Sequence, residues 1–382
     1  MGISILLGCT VFLFCVFAEG SARFNNYTEE DYKKSFPNNE DQGTLKLINV
    51  MFRHGNRTIN GIDESYPNDP YLNMTYFPYG LGQLTNAGKV KEYFMGADLR
   101  NRYDDFLGKY YYPELVEAIS TNVNRTKMSL LLVLAGLFPP RKEDAVLGMS
   151  WQPIPYNFLP IERDPVLNGV KCPEYIEEYA KHVQQLLDRN KFKKYEKLFD
   201  YISQHSGLNI TTIRQIYNLQ FGLATEREFG LELPEWTNKV YPEPMTNVAT
   251  EDYYIAMGTP ILKRLAIGYF LKKLINDAND NIDDDTKLKT KIHLYSGHES
   301  TVARLLIALG IFEKHIPSYG SHVILELHEI EGVYGFKVFY QGWDGRGLRL
   351  MQIPGCEEFC PLDAFTALMQ DFLPLDDDVC SD

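Results

Sequence analysis

An apolar run from Leu45 to Phe52 ends abruptly on Arg53-His54-Gly55-Asn56-Arg57, and the same layout returns twice further along the chain. At the second occurrence a strand pattern over Leu115 to Ile119 gives way to Ser120-Thr121-Asn122-Val123-Asn124-Arg125. A helix is predicted from about Thr126 to Leu137, where Phe138-Pro139-Pro140 stops it. At the third, Lys291 to Tyr295 runs into Ser296-Gly297-His298-Glu299-Ser300, and Leu305, Leu306, Leu309 and Ile311 mark the following helix. Three strand–turn–helix units, each with Arg or His where the strand ends, predict an α/β fold. Its sheet is expected to be mostly parallel, with helices on both faces and the ligand at the carboxyl ends of the strands.

The residue types at these turns suit a single chemistry, in which cationic forks hold an anion while a ring nitrogen attacks it. A guanidinium matches the oxygens of a phosphate group, an imidazole can act as a covalent nucleophile, and Arg125 adds its fork to a helix start that itself favours an anion. The chain carries a net charge of −13, which excludes nucleic acid as a partner because sequence-independent binding there needs a basic face. A small anion is not excluded, since a local arginine cluster outweighs the mean field inside a cleft.

The 382 residues exceed the usual single domain, so an insertion or a second domain is expected. Between the second and third units, Glu174 to Tyr201 and Thr211 to Phe229 have helical spacing, and we read residues 151–256 as a mainly helical insertion that caps the cleft. Tyr254 to Ile275 reads as a helix returning to the core, and Asn276 to Asp285 as an acidic solvent loop without the residue order of a calcium site. Residues 60–80 read as a loop, and Thr85 caps a helix running through Arg102, whose Arg100 and Arg102 are assigned to solvent or to the helix dipole. Val323 to His328 and Gly335 to Tyr340 alternate as paired strands around Gly332. His328 is assigned to structure ahead of the site, His293 and His322 to structure or surface, and His182 and His205 to helix surfaces.

The first residues, Ile3 to Phe17, form an apolar run followed by small residues, giving a signal peptide over about 1–20 with Gly20 or Ala22 as its last residue. No second run is long enough to span a membrane. With Cys9 and Cys15 removed, Cys172, Cys356, Cys360 and Cys380 remain, an even number that suggests two disulfides in an oxidising compartment. A small loop closed by Cys356 and Cys360 leaves Cys172 to meet Cys380. Sequons at Asn26, Asn73 and Asn209 fit secretion; those at Asn56 and Asn124 fall in the proposed pocket and are expected to stay unmodified.

Taken together these motifs resemble the histidine acid phosphatases, and within them the insect venom branch. The resemblance runs over nearly the whole mature chain, through Gln83-Leu84-Thr85 with Gly88, Ser120-Thr121 to Arg125-Thr126, and Trp151-Gln152-Pro153-Ile154. It continues through Ser296 to Ser300, Glu326-Leu327-His328, Gly355-Cys356 and Cys360-Pro361-Leu362. The resemblance implies that His54 attacks phosphorus and carries it as a phosphohistidine, that Arg53, Arg57, Arg125 and His298 bind the phosphoryl oxygens, and that Glu299 protonates the leaving alcohol. Much of the family has Asp where this chain has Glu299, though the venom branch shares the Glu; Asn56, Ile59 and Ile119 also depart from the commoner residues, Ile119 standing where some relatives have a further arginine.

The expectation is a metal-free, cofactor-free acid phosphatase acting on small phosphate monoesters. It is secreted into venom or saliva, or alternatively lies in the lysosomal lumen, is off the membrane once its signal is removed, and has a homodimer as one permitted assembly. Residues 21–150 and 257–382 are expected to form the catalytic domain. Arginines crowding His54 lower its pKa, and Glu299 is expected to titrate modestly above an ordinary glutamate, which predicts an acid optimum. The alternatives are a phytase-like enzyme on inositol phosphates, which needs extra basic residues on the cap side, and a secreted phosphate-binding protein or allergen without turnover.

Overall fold

A computed structural model describes residues 43–141, 143, 148–283, 288–375 and 380. The signal segment and Asn26 lie outside the described residues. One sheet organises the chain: β1 (Leu45–Arg53), β2 (Val116–Ser120), β3 (Ile292–Gly297), β4 (His322–Ile330), β5 (Val333–Gln341), β6 (Leu348–Met351) and β7 (Phe359–Pro361). Its order is β2-β3-β1-β4-β5-β6, with β7 also on β5. β1 and β2 both run parallel to β3, whereas β4 joins β1 antiparallel and β5, β6 and β7 continue in that sense. The α/β class and the helices on both faces are as expected. The sheet is mixed, its parallel half being the three strands that end on the Arg/His turns.

The apolar run of β1 follows from its place in the middle of that sheet. Leu47 and Met51 enter one core with Phe270, Leu274, Leu305 and Val323. Ile48, Val50 and Phe52 enter another with Met95, Leu99, Leu130 and Val133. A strand covered on both faces has no polar alternation to show. The covering helices are α1 (Asn86–Leu107) and α2 (Asn124–Leu137) on one face. A Cβ added at Gly96 of α1 would stand 2.1 Å from the Val133 carbonyl oxygen of α2, so these two helices touch backbone to backbone.

The middle of the chain is helical. The stretch from Glu174 to Tyr201, read from the sequence as one helical segment, is two helices, α3 (Pro173–Asp188) and α4 (Glu196–Ser206); next comes α5 (Ile213–Glu228), opened by a capping box of Thr212 and Gln215. These helices share a core of Phe199, Ile202, Ile216, Leu219 and Tyr253 that reaches the sheet domain at Ala303. The chain returns through a helical run over Pro260–Gly268 into α6 (Tyr269–Asp283), then α7 (Glu299–Ala308) and, near the end, α8 (Leu362–Met369).

Two expectations fail here. The supposed solvent loop after Asn276 is helix to Asp283, because Asp277 is neutralised by Lys273 at 3.1 Å and by His293 at 3.1 Å. Arg102 is buried, not solvated: it pairs with Glu326 at 3.0 Å beside the Tyr103 hydroxyl, and His328 Nε2–H donates to the same carboxylate at 2.9 Å. A carboxylate only accepts, so the ring nitrogen is the donor of that bond, and His328 belongs to an interior ion network. Two more surface assignments give way in part: His182 is half-buried against Gly258, and His205 stacks between Tyr201 and Trp236. The structure joins Cys356 to Cys360 and Cys172 to Cys380, the second bridge closing 208 residues of chain. Closing a loop that long removes unfolded-state entropy worth on the order of 5 kcal/mol in a chain-entropy account.

Candidate active site

Parallel pairing sets the three turns side by side, with Arg53 opposite Gly297 and Ser120 opposite Ser296. The backbone carries the alignment beyond the strands: His54 N–H donates to the Gly297 carbonyl at 3.1 Å and Thr121 N–H to Ser296 at 3.1 Å. From below, the loop after His54 is pinned by Thr85 N–H to Asn56 O at 2.9 Å and Thr58 N–H to Gln83 O at 3.0 Å. This works only because Gly88, in the first turn of α1, lies directly against that loop. A Cβ there would stand 2.3 Å from the Asn56 carbonyl oxygen and 2.6 Å from its nitrogen. Gly88→Ala is expected to cost about 1–3 kcal/mol by overpacking and to displace the loop, a change that chemical denaturation and turnover would both register.

The other five expected residues gather around the imidazole of His54. His54 is buried, its Nδ1–H donates to the Gly55 carbonyl at 2.8 Å, and this fixes the tautomer that leaves a lone pair on Nε2. Arg125 Nε–H donates to that Nε2 at 3.0 Å. Arg53 stacks 3.7 Å over the Tyr319 ring and donates from Nη1 to Pro317 O at 2.7 Å. Arg57 is held by Glu64 in a two-bond fork of 2.8 and 2.7 Å, and Arg125 by Asn60 at 3.1 Å. His298 lies 5.5 Å from His54 between ring centres, its Nε2 3.2 Å from the Thr121 hydroxyl. Glu299, the first residue of α7, bonds the Tyr217 hydroxyl through Oε1 and places Oε2 3.8 Å from Arg53 Nε.

Three nitrogens in this cluster have no hydrogen-bond partner among the described residues: Arg53 Nε, Arg53 Nη2 and Arg57 Nε. A buried donor left unpaired costs about 1–3 kcal/mol, more when charged, so a cluster of them marks the place of an absent acceptor.

The charges explain the titration of the site. Burial first, then Arg125 and Arg53, hold His54 well below the ordinary imidazole range, which favours the neutral ring. His298 is lowered to about 3, again by burial and then by Arg125. Burial pushes Glu299 up, but Arg53, His298, the Tyr217 bond and Arg57 outweigh it and bring the carboxyl down to about 2. Since His298 is itself neutral at pH 5, the arginines and Tyr217 do this at working pH. The expectation of a modestly raised Glu299 is therefore reversed: its carboxylate is the counter-ion of Arg53.

Donor atoms of His54, His298 and Glu299 lie within 4.8 Å of one another, a spacing a metal ion would accept. The three guanidinium groups around them oppose a cation there. Glu117, Asp277 and His293 form a similar group, but Lys273 Nζ already sits 2.9 Å from Glu117 and 3.1 Å from Asp277, filling the cation's place. Of the sequons, Asn73 and Asn209 are exposed. Asn56 is half-buried at the mouth with its amide on Glu228 at 3.3 Å, and Asn124 is exposed at the start of α2. Sequence reasoning missed Asn60, Glu64, Tyr217 and Tyr319, none of which sits in a recognisable pattern.

The sequence matches the histidine phosphatase superfamily (branch 2) over residues 26–341. It is 39% identical over 343 residues to venom acid phosphatase Acph-1 of Apis mellifera, covering 89% of this chain and 88% of that protein. It is 29% identical over 341 residues to the lysosomal acid phosphatase of Homo sapiens, covering 87% and 79%. Among solved structures, the apo form of Hafnia alvei phytase aligns with a TM-score of 0.62 at 15% identity, over 87% of this chain and 97% of that one. At that identity the likeness is one of fold. A matched region that spans most of the chain and contains the whole His54 cluster leaves one conclusion: this protein belongs to the histidine phosphatase superfamily, branch 2.

Proposed function

We propose that the chain is an acid phosphatase that hydrolyses phosphate monoesters through a phosphohistidine at His54. The observation that carries the mechanism is the set of unpaired Arg53 and Arg57 N–H groups around the lone pair of His54 Nε2. A phosphoryl group entering the pocket accepts those N–H bonds and those of Arg125, which yields His54 to it because a charged oxygen is the stronger acceptor. Nε2 then attacks phosphorus, the bond from phosphorus to the ester oxygen breaks, and that oxygen leaves with a proton from Glu299. Water attacks the phosphohistidine next, Glu299 takes its proton, and inorganic phosphate departs. The arginines bind the charge that spreads over the phosphoryl oxygens in both steps, the main protein contribution to such a reaction.

The proton inventory makes the enzyme acid-active. With Glu299 ionised, the substrate must bring the proton, as a monoanion. Once bound, the phosphate neutralises Arg53 and Arg57, Glu299 rises, and the proton moves to it. A phosphate monoester loses its second proton near pH ~6, so kcat/KM is expected to be flat over about pH 3–6 and to fall roughly tenfold per unit above. A pH–rate profile with two esters of different second pKa checks this: the alkaline limb should follow the substrate.

The site-facing side chains of α5 are Tyr217, Phe221 and Glu228, aromatic and acidic, which favours a simple or aryl monoester over a polyphosphate. Turnover of a chromogenic phosphate at pH 5 with EDTA present, extended to a panel with phytate, tests enzyme against binder and monoester against inositol phosphate. Export from the cell, with a lysosomal lumen as the alternative, is supported by the apolar leader and by the venom and lysosomal names of its relatives. Among the described residues no helix is long and apolar enough to cross a membrane.

A further inference from the structure

Glu299 is one methylene longer than an aspartate, and a carboxyl on a longer stem has more rotamers to choose from. A general acid is effective only when its proton is aimed at the leaving oxygen. What aims it here comes from outside the sheet domain. α5 turns one face toward the site. Tyr217 meets Glu299, Phe221 one turn on lies under the Arg53 guanidinium at 5.6 Å, and Glu228 reaches Asn56. The Tyr217 ring is itself fixed, with Phe221 at 4.8 Å, Tyr253 at 5.8 Å and the Arg214 guanidinium at 4.9 Å.

From this geometry we infer that Tyr217 is a positioning residue for proton transfer, anchoring Glu299 Oε1 so that Oε2 alone faces the guanidinium-lined pocket and serves the leaving oxygen. The inference rests on Glu299 being the acid of the proposed reaction. Tyr217 touches neither substrate nor phosphorus. It donates its phenolic hydrogen bond, and burial, the chief cause, keeps that phenol protonated far above working pH. One consequence is that the helical insertion must be docked for an alkyl ester to be cleaved, because the insertion carries the residue that aims the proton.

The discriminating readout is leaving-group dependence, which a merely structural role would not move. A 4-nitrophenolate departs with little help from an acid, whereas an alkoxide such as that of glycerol 2-phosphate requires the proton. In Tyr217→Phe, kcat/KM for glycerol 2-phosphate, which ends at departure of the alcohol and so excludes the water step that Glu299 also serves, is expected to fall roughly tenfold, with kcat/KM for 4-nitrophenyl phosphate changed less than about threefold. In a Glu299→Gln background, adding Tyr217→Phe should alter the glycerol ester rate less than about twofold, because the proton to be aimed is gone.

Equal losses on the two esters, no loss on the alkyl ester, or the same tenfold loss in the Gln background would each overturn the inference. If Glu299→Gln alone keeps the wild-type rate on the alkyl ester, the acid assignment falls and Tyr217 with it. A failure confined to Tyr217→Phe leaves that assignment standing. Should Tyr217→Phe not yield folded protein, Glu299→Asp reads the same contact from the other side. It withdraws the carboxyl from Tyr217, and its loss in kcat/KM should be roughly tenfold greater on the alkyl ester than on the aryl one. Loss on both esters alike then overturns the inference.

Discussion

Replacing His54 by alanine is expected to remove turnover by roughly 10⁴-fold or more and to abolish trapping of labelled phosphate on the protein. The size follows from the geometry. Nε2 carries the His54 lone pair, bonded by Arg125, which yields to an entering phosphoryl group, and the neighbouring Arg53 and Arg57 keep unpaired donors for that group's oxygens. His298 lies nearby, but its Nε2 is 3.2 Å from the Thr121 hydroxyl and is spoken for. Stability should change little. The substitution removes the bond to the Gly55 carbonyl and the acceptor for Arg125, each worth about 1 kcal/mol net, and relieves burial of a ring that sits among three cations. Folded protein that binds phosphate without turning over the ester is the expected outcome. Retention of labelled phosphate on His54→Ala, quenched in alkali and located by mass spectrometry, would place the nucleophile elsewhere.

Arg53→Ala is the second large effect, with kcat/KM expected to fall roughly 10²–10³-fold. Two of its donor nitrogens have no hydrogen-bond partner among the described residues, so the substitution withdraws bonds made to the phosphoryl group and forfeits few structural ones. Arg53→Lys is not expected to restore the rate, because a single ammonium cannot present two donors in one plane over the Tyr319 ring. A second signature identifies the mechanism of the loss. Arg53 is the foremost charge holding Glu299 down. Without it the carboxyl titrates higher, so the low-pH limb of the residual activity should move upward. A loss of rate with an unmoved limb would mean that Arg53 and Glu299 are not coupled as their 3.8 Å approach implies.

Much of this was legible in the chain. β1 announced itself because a strand buried on both faces leaves no polar residue to blur the run from Leu45 to Phe52. Arg53, His54, Arg57, Arg125, His298 and Glu299 sit at strand ends and helix starts, places where local sequence and backbone direction are tied together, so their types and spacing carried chemical meaning before any coordinates. The class of fold followed from the same three turns.

Other features depend on who meets whom across the fold, and no local pattern encodes that. Whether Arg102 is a surface charge or a buried one turned on Glu326, 224 residues away. Glu64 looks like any loop glutamate until Arg57 folds onto it, and Tyr217 like any helix aromatic until α5 docks over α7. The protonation of Glu299 was misjudged for the same reason: residue type sets a reference value, whereas the sum of neighbouring charges and lost water sets the actual one. Composition and periodicity report which backbone segments form and which faces they bury. The electrostatic state of a buried group, and the side chains that hold it, are decided only when distant segments close around it.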